Sequence, residues 1–379
     1  MNFSLTKEQE LIQKAAREYA EKYIEPIAEQ IDKENRVPQA IMEGLGELDL
    51  LGIPLPDEYG GAGAGYVSYV LAMEQIARAS SGVGMILSAH TLGLSSISTF
   101  GTEEQKKKYL PKACQGKEIA SFAFTEPGTG SDPKQITSTA TLVGDYYILN
   151  GTKRFISNAG NNGPAVIFAR NTESGKIDAF IVEKNCEGYS VSEPWEKLGM
   201  HGGPLLDIYM KDLKVPKENL LGAPGMGYPI LQVGISFGKV GVSSCALGGL
   251  LAAYQSAVKY AKEKTHRDQA IAKFATIQDS IAEIAIKYEA ARWVAYRLGY
   301  LADNFKDPAQ FAKEAAVAKT FVTETGVDVA RLAIGVHGSY GLTADYKISR
   351  IWKDCIIGPQ IEGVSAMQKI IIAGVVLNS

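Results

Sequence analysis

The chain carries no excess of either charge: 39 Lys+Arg stand against 42 Asp+Glu, a formal −3. The basic footprint of a nucleic-acid-binding protein is therefore missing. No stretch reaches about 18 uninterrupted apolar residues, so no membrane span is expected. Cysteine is scarce. Cys114, Cys186, Cys245 and Cys355 lie 59 to 110 residues apart. That spacing fits no zinc or redox motif and reads as buried thiols in a reducing compartment. The 4 histidines are equally scattered, and no metal site is legible. The stretch from Met1 to Glu10 lacks the apolar region of a signal peptide and the Arg/Ser-rich, acid-poor character of a transit peptide. A bacterial cytoplasmic protein is the expectation. No Walker A sequence occurs. The glycines of Gly60-Gly-Ala-Gly-Ala-Gly65 neither match G-x-G-x-x-G nor sit between a strand and a helix, which argues against a Rossmann fold.

What is present is enough apolar residue, 46% against 21% charged, to bury a large core. A length of 379 residues predicts two or three domains. Three blocks are visible. Residues 1–119 read helical: Thr6 stands as an N-cap, and Leu11, Ile12, Ala15, Tyr19, Tyr23 and Ile24 recur at helical spacing. A Pro/Gly-rich break over 54–65 precedes an apolar helical run over 67–98. Gly101–Pro111 reads as a short capped helix stopped by its proline. Residues 120–225 change period into short β-rich runs separated by Gly144-Asp145, Asn150-Gly151 and Ser174-Gly175. No helical stretch lies between them, so an antiparallel β-barrel or sandwich is expected rather than a parallel sheet. Residues 226–379 return to helix, with long helices over 234–263, 277–303, 308–335 and 364–376.

Five segments could carry chemistry. Phe122-Ala-Phe-Thr-Glu-Pro-Gly-Thr-Gly-Ser-Asp132 is a turn-rich loop whose backbone N–H groups and Thr125 and Ser131 hydroxyls suit a flat heterocycle or a pyrophosphate. Taken alone it reads as an ordinary surface turn, since loops of this composition are common. In Asn150–Gly160, Phe155 and Ser157 lie two apart, so on a regular strand they share a face and could flank a ring. Glu362 precedes an apolar helix, with Pro359 upstream and Gly363 permitting a close backbone approach. It is either a charge complement to that helix N-terminus or a base in a pocket. Thr265–Ala270 with Gln278, and Ile334–Leu342 with His337, read as helix ends and turns.

Taken together and in order, these segments resemble the acyl-CoA dehydrogenase family over essentially the whole chain. Phe122–Asp132 is its most specific stretch. Tyr346-Lys-Ile-Ser-Arg-Ile-Trp-Lys-Asp354, followed eight residues later by Glu362-Gly363, looks like its catalytic segment. The resemblance implies an α+β multidomain chain: an N-terminal helical domain, a central β-domain and a C-terminal four-helix bundle, usually as a homotetramer, with FAD between the last two. It implies Phe122, Thr125, Gly130 and Ser131 along the isoalloxazine and phosphates, and Phe155, Ile156 and Ser157 beside the ring. Arg267, Gln278, Gly335, His337, Gly338 and Ser339 reach the FAD of a neighbouring subunit. Val364 and Ala366 follow the base beside the cofactor, and Ser131, Ser236, Lys239, Ile361 and Gly363 line the thioester side.

The activity so implied is α,β-dehydrogenation of an acyl-CoA, or the reverse enoyl-CoA reduction. Glu362 takes the α-proton, the β-hydride passes to flavin N5, and an electron-transferring flavoprotein reoxidises the flavin. Burial beside an acyl chain raises the pKa of the base toward about 6–7, where it is efficient near neutral pH. The chain departs from the family at several points. Phe155 replaces Trp, Ser157 replaces Thr and Val364 replaces Thr. Ser236-Phe-Gly-Lys239 replaces an Asp-x-x-Arg pair near the CoA. Gly84 stands where members acting on dicarboxylyl thioesters carry Arg, which disfavours a glutaryl-type substrate. Two further readings use the same fold: a dehydrogenase of an acyl or aminoacyl thioester on a carrier protein, and a non-catalytic scaffold.

Overall fold

The computed structural model describes residues 3–378. Met1 and Asn2, the first residues of the N-terminal stretch read above, and Ser379 lie outside that description. The expected N-cap opens α1 (Lys7–Tyr19) as a reciprocal box: the Thr6 hydroxyl accepts from the Gln9 N–H at 3.2 Å, and the Gln9 side chain accepts from the Thr6 N–H at 3.0 Å. Then come α2 (Ala28–Glu34), α3 (Gln39–Glu47), α4 (Gly65–Ala79), α5 (Ser81–Phe100) and α6 (Glu103–Cys114). Pro111 does not stop α6. Its carbonyl still accepts from the Gln115 N–H at 3.2 Å, so the helix loses one donor and continues for another turn.

The central block is one open eight-stranded sheet, not the expected barrel or sandwich. Its strands are β1 (Ser121–Ala123), β2 (Thr139–Val143), β3 (Tyr146–Ser157), β4 (Pro164–Asn171), β5 (Ile177–Glu183), β6 (Tyr189–Val191), β7 (Leu205–Pro216) and β8 (Leu220–Leu221). Their order is β6-β7-β3-β2-β4-β5-β8, with β1 also on β4. Most pairs are antiparallel, but β1 and β2 both run parallel to β4, along different halves of it. Loop 124–138 returns the chain to the β4 edge in its original direction. The short β-runs identify strands but carry no mark of this crossover.

After the sheet, α7 (Gly227–Glu263) leads into the hairpin β9 (Thr265–His266) and β10 (Gln269–Ala270), then α8 (Ala275–Asn304), α9 (Pro308–His337), α10 (Lys347–Cys355) and α11 (Ser365–Val376). Among the described residues five α-helices, three long and two short, thus follow the sheet, and the expected run over 364–376 is one of the short ones. α4, α5, α7, α8 and α9 share one apolar core. A second core lies between α5, α6 and one face of the sheet, and a third on the opposite face. α5 and α7 are long and apolar enough to cross a membrane, yet 72% and 78% of their apolar windows are buried here, as core helices require. All four cysteines are free. Cys114, Cys245 and Cys355 are buried, while Cys186 is only half-buried.

Candidate active site

Two segments, the end of β1 and the turn at Glu362, meet α7, and β3 is tied to the first of them. The loop after β1 is anchored by a residue the sequence reading passed over. Glu126 is buried and accepts from the Thr137 N–H (2.7 Å), the Thr137 hydroxyl (2.7 Å), the Ser138 N–H (3.0 Å) and the Lys153 ammonium (2.7 Å). Burial alone would raise its pKa. Lys153 and the hydrogen bonds outweigh that and hold it down at about 2. Burial pulls Lys153 down to about 8, against the attraction of Glu126, so it stays protonated at neutral pH. The ion pair ties the loop to β3, and the Arg154 N–H donating to the Thr125 carbonyl (2.8 Å) adds a second tie. Gly130 and Ser131 are left exposed at the loop's tip. Phe122 is buried edge-on against Phe168, and the Cβ that Gly234 lacks would stand 3.0 Å from its ring. A glycine at 234 is what lets α7 meet that ring.

β3 is not regular at Phe155. Its pairing with β7 slips between Lys153 and Ile156, and Phe155 takes φ 59°. This bulge, rather than simple alternation, turns the ring outward, leaving it 49% exposed. The spacing to Ser157 therefore does not set a shared face. Ile156 is buried in the sheet core and Ser157 is half-buried. The bulge is braced from β7: Asp207 accepts two bonds from Arg154 (3.1 Å each) and one from Trp195 (2.9 Å), and Trp195 meets Phe155 edge-on at 5.4 Å.

Glu362 follows the short helical turn Gly358–Gln360 at φ 49°, and Gly363 continues at φ 86°. Two successive left-handed residues fold the chain back and direct the carboxyl at α7. Its Oε2 is buried and accepts no hydrogen bond. The missing Cβ of Gly238 would stand 2.9 Å from that oxygen. Gly234 and Gly238 are one turn apart, about 6 Å along the axis, so Phe122 and Glu362 meet the same helix side by side. Burial raises the Glu362 pKa, while Lys239 and Lys319 oppose the rise. Lys239, expected near the CoA, is buried with its charge within reach of Glu362. The Ser236 hydroxyl is spent within α7 on the Gln232 carbonyl (2.9 Å). Ile361, Val364 and Gly363 surround the turn, with Ala366 exposed beyond it.

The remaining residues lie elsewhere. Arg267 (φ 49°) is exposed at the tip of the β9–β10 hairpin, and Gln278 donates to the Ala272 carbonyl (3.0 Å). Gly335, Gly338 and Ser339 are exposed at the end of α9. His337 is not available as a side-chain contact. Both ring nitrogens are engaged, by the Ala333 carbonyl (2.7 Å) and the Ser256 hydroxyl (3.3 Å), and the ring stacks on Tyr260 at 4.2 Å. That stack puts the ends of α7 and α9 together. Lys319, which touches the Glu362 turn, lies 18 residues earlier on α9, about 27 Å away. The end of α9 thus stands far from the chain's own Glu362.

The N-terminal domain of acyl-CoA dehydrogenases matches residues 6–117, the middle domain 121–213 and the C-terminal domain 225–377. The chain belongs to the acyl-CoA dehydrogenase family. It is 40% identical to a 3-(aryl)acrylate reductase of Clostridium sporogenes over 378 residues, covering 98% of this chain and 99% of that one. The butyryl-CoA dehydrogenase of Megasphaera elsdenii superposes with a TM-score of 0.95 at 31% identity, covering all of both chains. A chain solved in work on the electron transferring flavoprotein of Acidaminococcus fermentans superposes at 0.96, with 36% identity and full coverage of both. The protein is thus an FAD-dependent oxidoreductase of acyl-CoA thioesters, acting by α,β-dehydrogenation or its reverse. The site fits the cofactor on two observations: an aromatic face turned out by a bulge beside an exposed Gly130-Ser131 tip, and an orphaned carboxylate oxygen one helical turn away from Phe122.

Proposed function

We propose that Glu362 is the base that takes the α-proton of the acyl thioester, and returns it in the reductive direction. The observation that carries this reading is the buried, unpaired Oε2 with its raised pKa. A carboxylate without partners in a dry site is a stronger base than a solvated one. Its lysine neighbours oppose that rise. In this reading the Glu362 backbone N–H would stabilise charge growing on the thioester carbonyl. Bound FAD supplies the two-electron acceptor. Phe122, Thr125, Gly130, Ser131, Phe155 and Ser157 would hold it on the sheet side.

The acyl group in this reading is not dicarboxylic. A Cβ on Gly84 would stand 2.8 Å from Ala77 and 3.0 Å from Cys245, so no arginine fits where a second carboxylate would need one. Self-association into a homotetramer is part of the same proposal. α11 is an apolar helix that buries only Gln368 and leaves Ile370 and Val376 exposed, and Leu377 follows it exposed. The exposure of Arg267 and Ser339, far along the chain from the Glu362 turn, supports assigning them to another copy's cofactor. An electron-transferring flavoprotein is the electron partner, in keeping with the family, and a cytoplasmic setting accords with the free thiols.

Anaerobic mixing of the FAD-loaded protein with acyl-CoAs, and with the same acyl groups on a carrier protein, tests the reading. Bleaching of the flavin by acyl-CoA is expected. Bleaching by the carrier-bound thioester alone would move the substrate to the carrier class.

A further inference from the structure

The turn that aims Glu362 is not held by Glu362. Its backbone is in the left-handed region at φ 49°, a conformation that persists in a residue with a side chain only when its surroundings impose it. What imposes it comes from α9. Lys319 is fully buried, and its Nζ donates to the Pro359 carbonyl at 3.0 Å and to the Gly363 carbonyl at 2.8 Å, one on each side of Glu362. One turn along α9, Thr323 bonds back to the Lys319 carbonyl (2.8 Å), and its side chain would stand 3.2 Å from a Cβ at Gly358. On the far side, a Cβ at Gly363 would run into the amide of the buried Gln368. The segment from 358 to 363 is thus gripped between one face of α9 and the start of α11.

We propose that Lys319 is a positioning residue for the α-proton base: its ammonium ties together the two carbonyls that bracket Glu362 and so fixes the turn that sets the carboxyl against Gly238. The proposal rests on the reading of Glu362 as the base. A neutral donor could tie the carbonyls as well, but the charge has a second effect. Lys319 from α9 and Lys239 from α7 both face the Glu362 carboxyl, and α5 brings the uncharged Leu92 to the same place beside Gly238. Glu324, also on α9, faces Lys319. Burial lowers both lysines to about 8, so both carry charge at neutral pH and favour the ionised base. Lys319 therefore joins geometry and ionisation in one side chain, whereas Lys239 contributes the field alone.

The test uses the FAD-loaded protein and the variants Lys319→Met, Lys319→Arg, Lys239→Met and Glu362→Gln. Two quantities are read: solvent-deuterium exchange at the α-carbon of butyryl-CoA against pH, and backbone amide exchange of the 357–366 segment without substrate. Lys319→Met is expected to move the pH profile upward by about one unit, lowering exchange about tenfold at neutral pH with recovery at high pH. Amide exchange in 357–366 should accelerate while the rest of α9 is unchanged. Lys239→Met should shift the profile and leave the amides alone. Lys319→Arg should restore the profile in part. A Lys319→Met protein with the parent's profile and amide protection would overturn the proposal. So would a loss that is equal at every pH and not rescued by arginine. If Lys319→Met does not fold, Lys319→Gln, which keeps a donor and removes the charge, should still shift the profile upward, and a parent-like profile in it would overturn the proposal. Normal α-exchange in Glu362→Gln would instead remove the base reading and leave the clamp to be judged by the amides.

Discussion

Glu126 and the Oε2 atom of Glu362 are both shut off from solvent, and their surroundings are opposite. Glu126 accepts four hydrogen bonds, one from a buried lysine, and its pKa is held down at about 2. Glu362 has an Oε2 with no partner, and its pKa is raised. Both have lysines nearby. The difference is that Lys153 bonds the Glu126 carboxylate directly, whereas Lys319 bonds the backbone around Glu362 and leaves its carboxylate free. A saturated carboxylate builds a loop. An unsaturated one, kept in place by its backbone, is available to a proton.

That contrast can be broken in several ways. Lys153→Met should give the largest loss of stability, about 3–5 kcal/mol, because Glu126 is left buried and charged. Chemical denaturation of the FAD-loaded protein measures it, with release of flavin as a parallel signal. pH separates the two sites next. Glu362 works as the carboxylate, so flavin reduction by substrate should fall about tenfold per unit as pH drops below its raised pKa. Glu126 stays ionised across that range. Its folded pKa is depressed, so its contribution to stability is present above about 4.5 and is lost as pH falls toward about 2. Acid unfolding followed by circular dichroism should show that loss well below the pH at which activity fails. Val364→Thr should stabilise by about 1 kcal/mol: Val364 is the N-cap of α11 and offers no side-chain acceptor, which threonine would supply. Thermal unfolding reads the gain. Smallest of all should be the stability change in Glu362→Gln, since removing an unpaired buried charge takes away no bond that Oε2 makes.

The sequence made the three blocks legible through local periods, whereas Glu362 is singled out only by the resemblance of the ordered segments, its local surroundings being equally those of a helix-start charge. What it hid is non-local. Glu126 lies inside the most specific segment, but its partner Lys153 is 27 residues on, across the sheet. Lys319 stands 40 and 44 residues before the carbonyls it binds, in a helix with no unusual feature of its own. The Phe155 bulge depends on a β7 partner, so alternation along β3 alone misreads the face. Parallel pairing of β1 and β2 with β4 is set by how a loop returns, which strand composition does not encode. His337, a structural histidine on its own signals and a cofactor contact only by the resemblance, is engaged by Ala333 within α9 and by Ser256 of α7, the second a contact that the sequence does not mark.

The most direct measurement is the rate at which acyl-CoA reduces the bound flavin in Glu362→Gln under anaerobic conditions. A protein that keeps its flavin and melts like the parent, yet is reduced about 10²–10⁴-fold more slowly, is the predicted result. Reduction at the parent's rate would show that another group takes the α-proton and that the unpaired oxygen beside Gly238 is not the base.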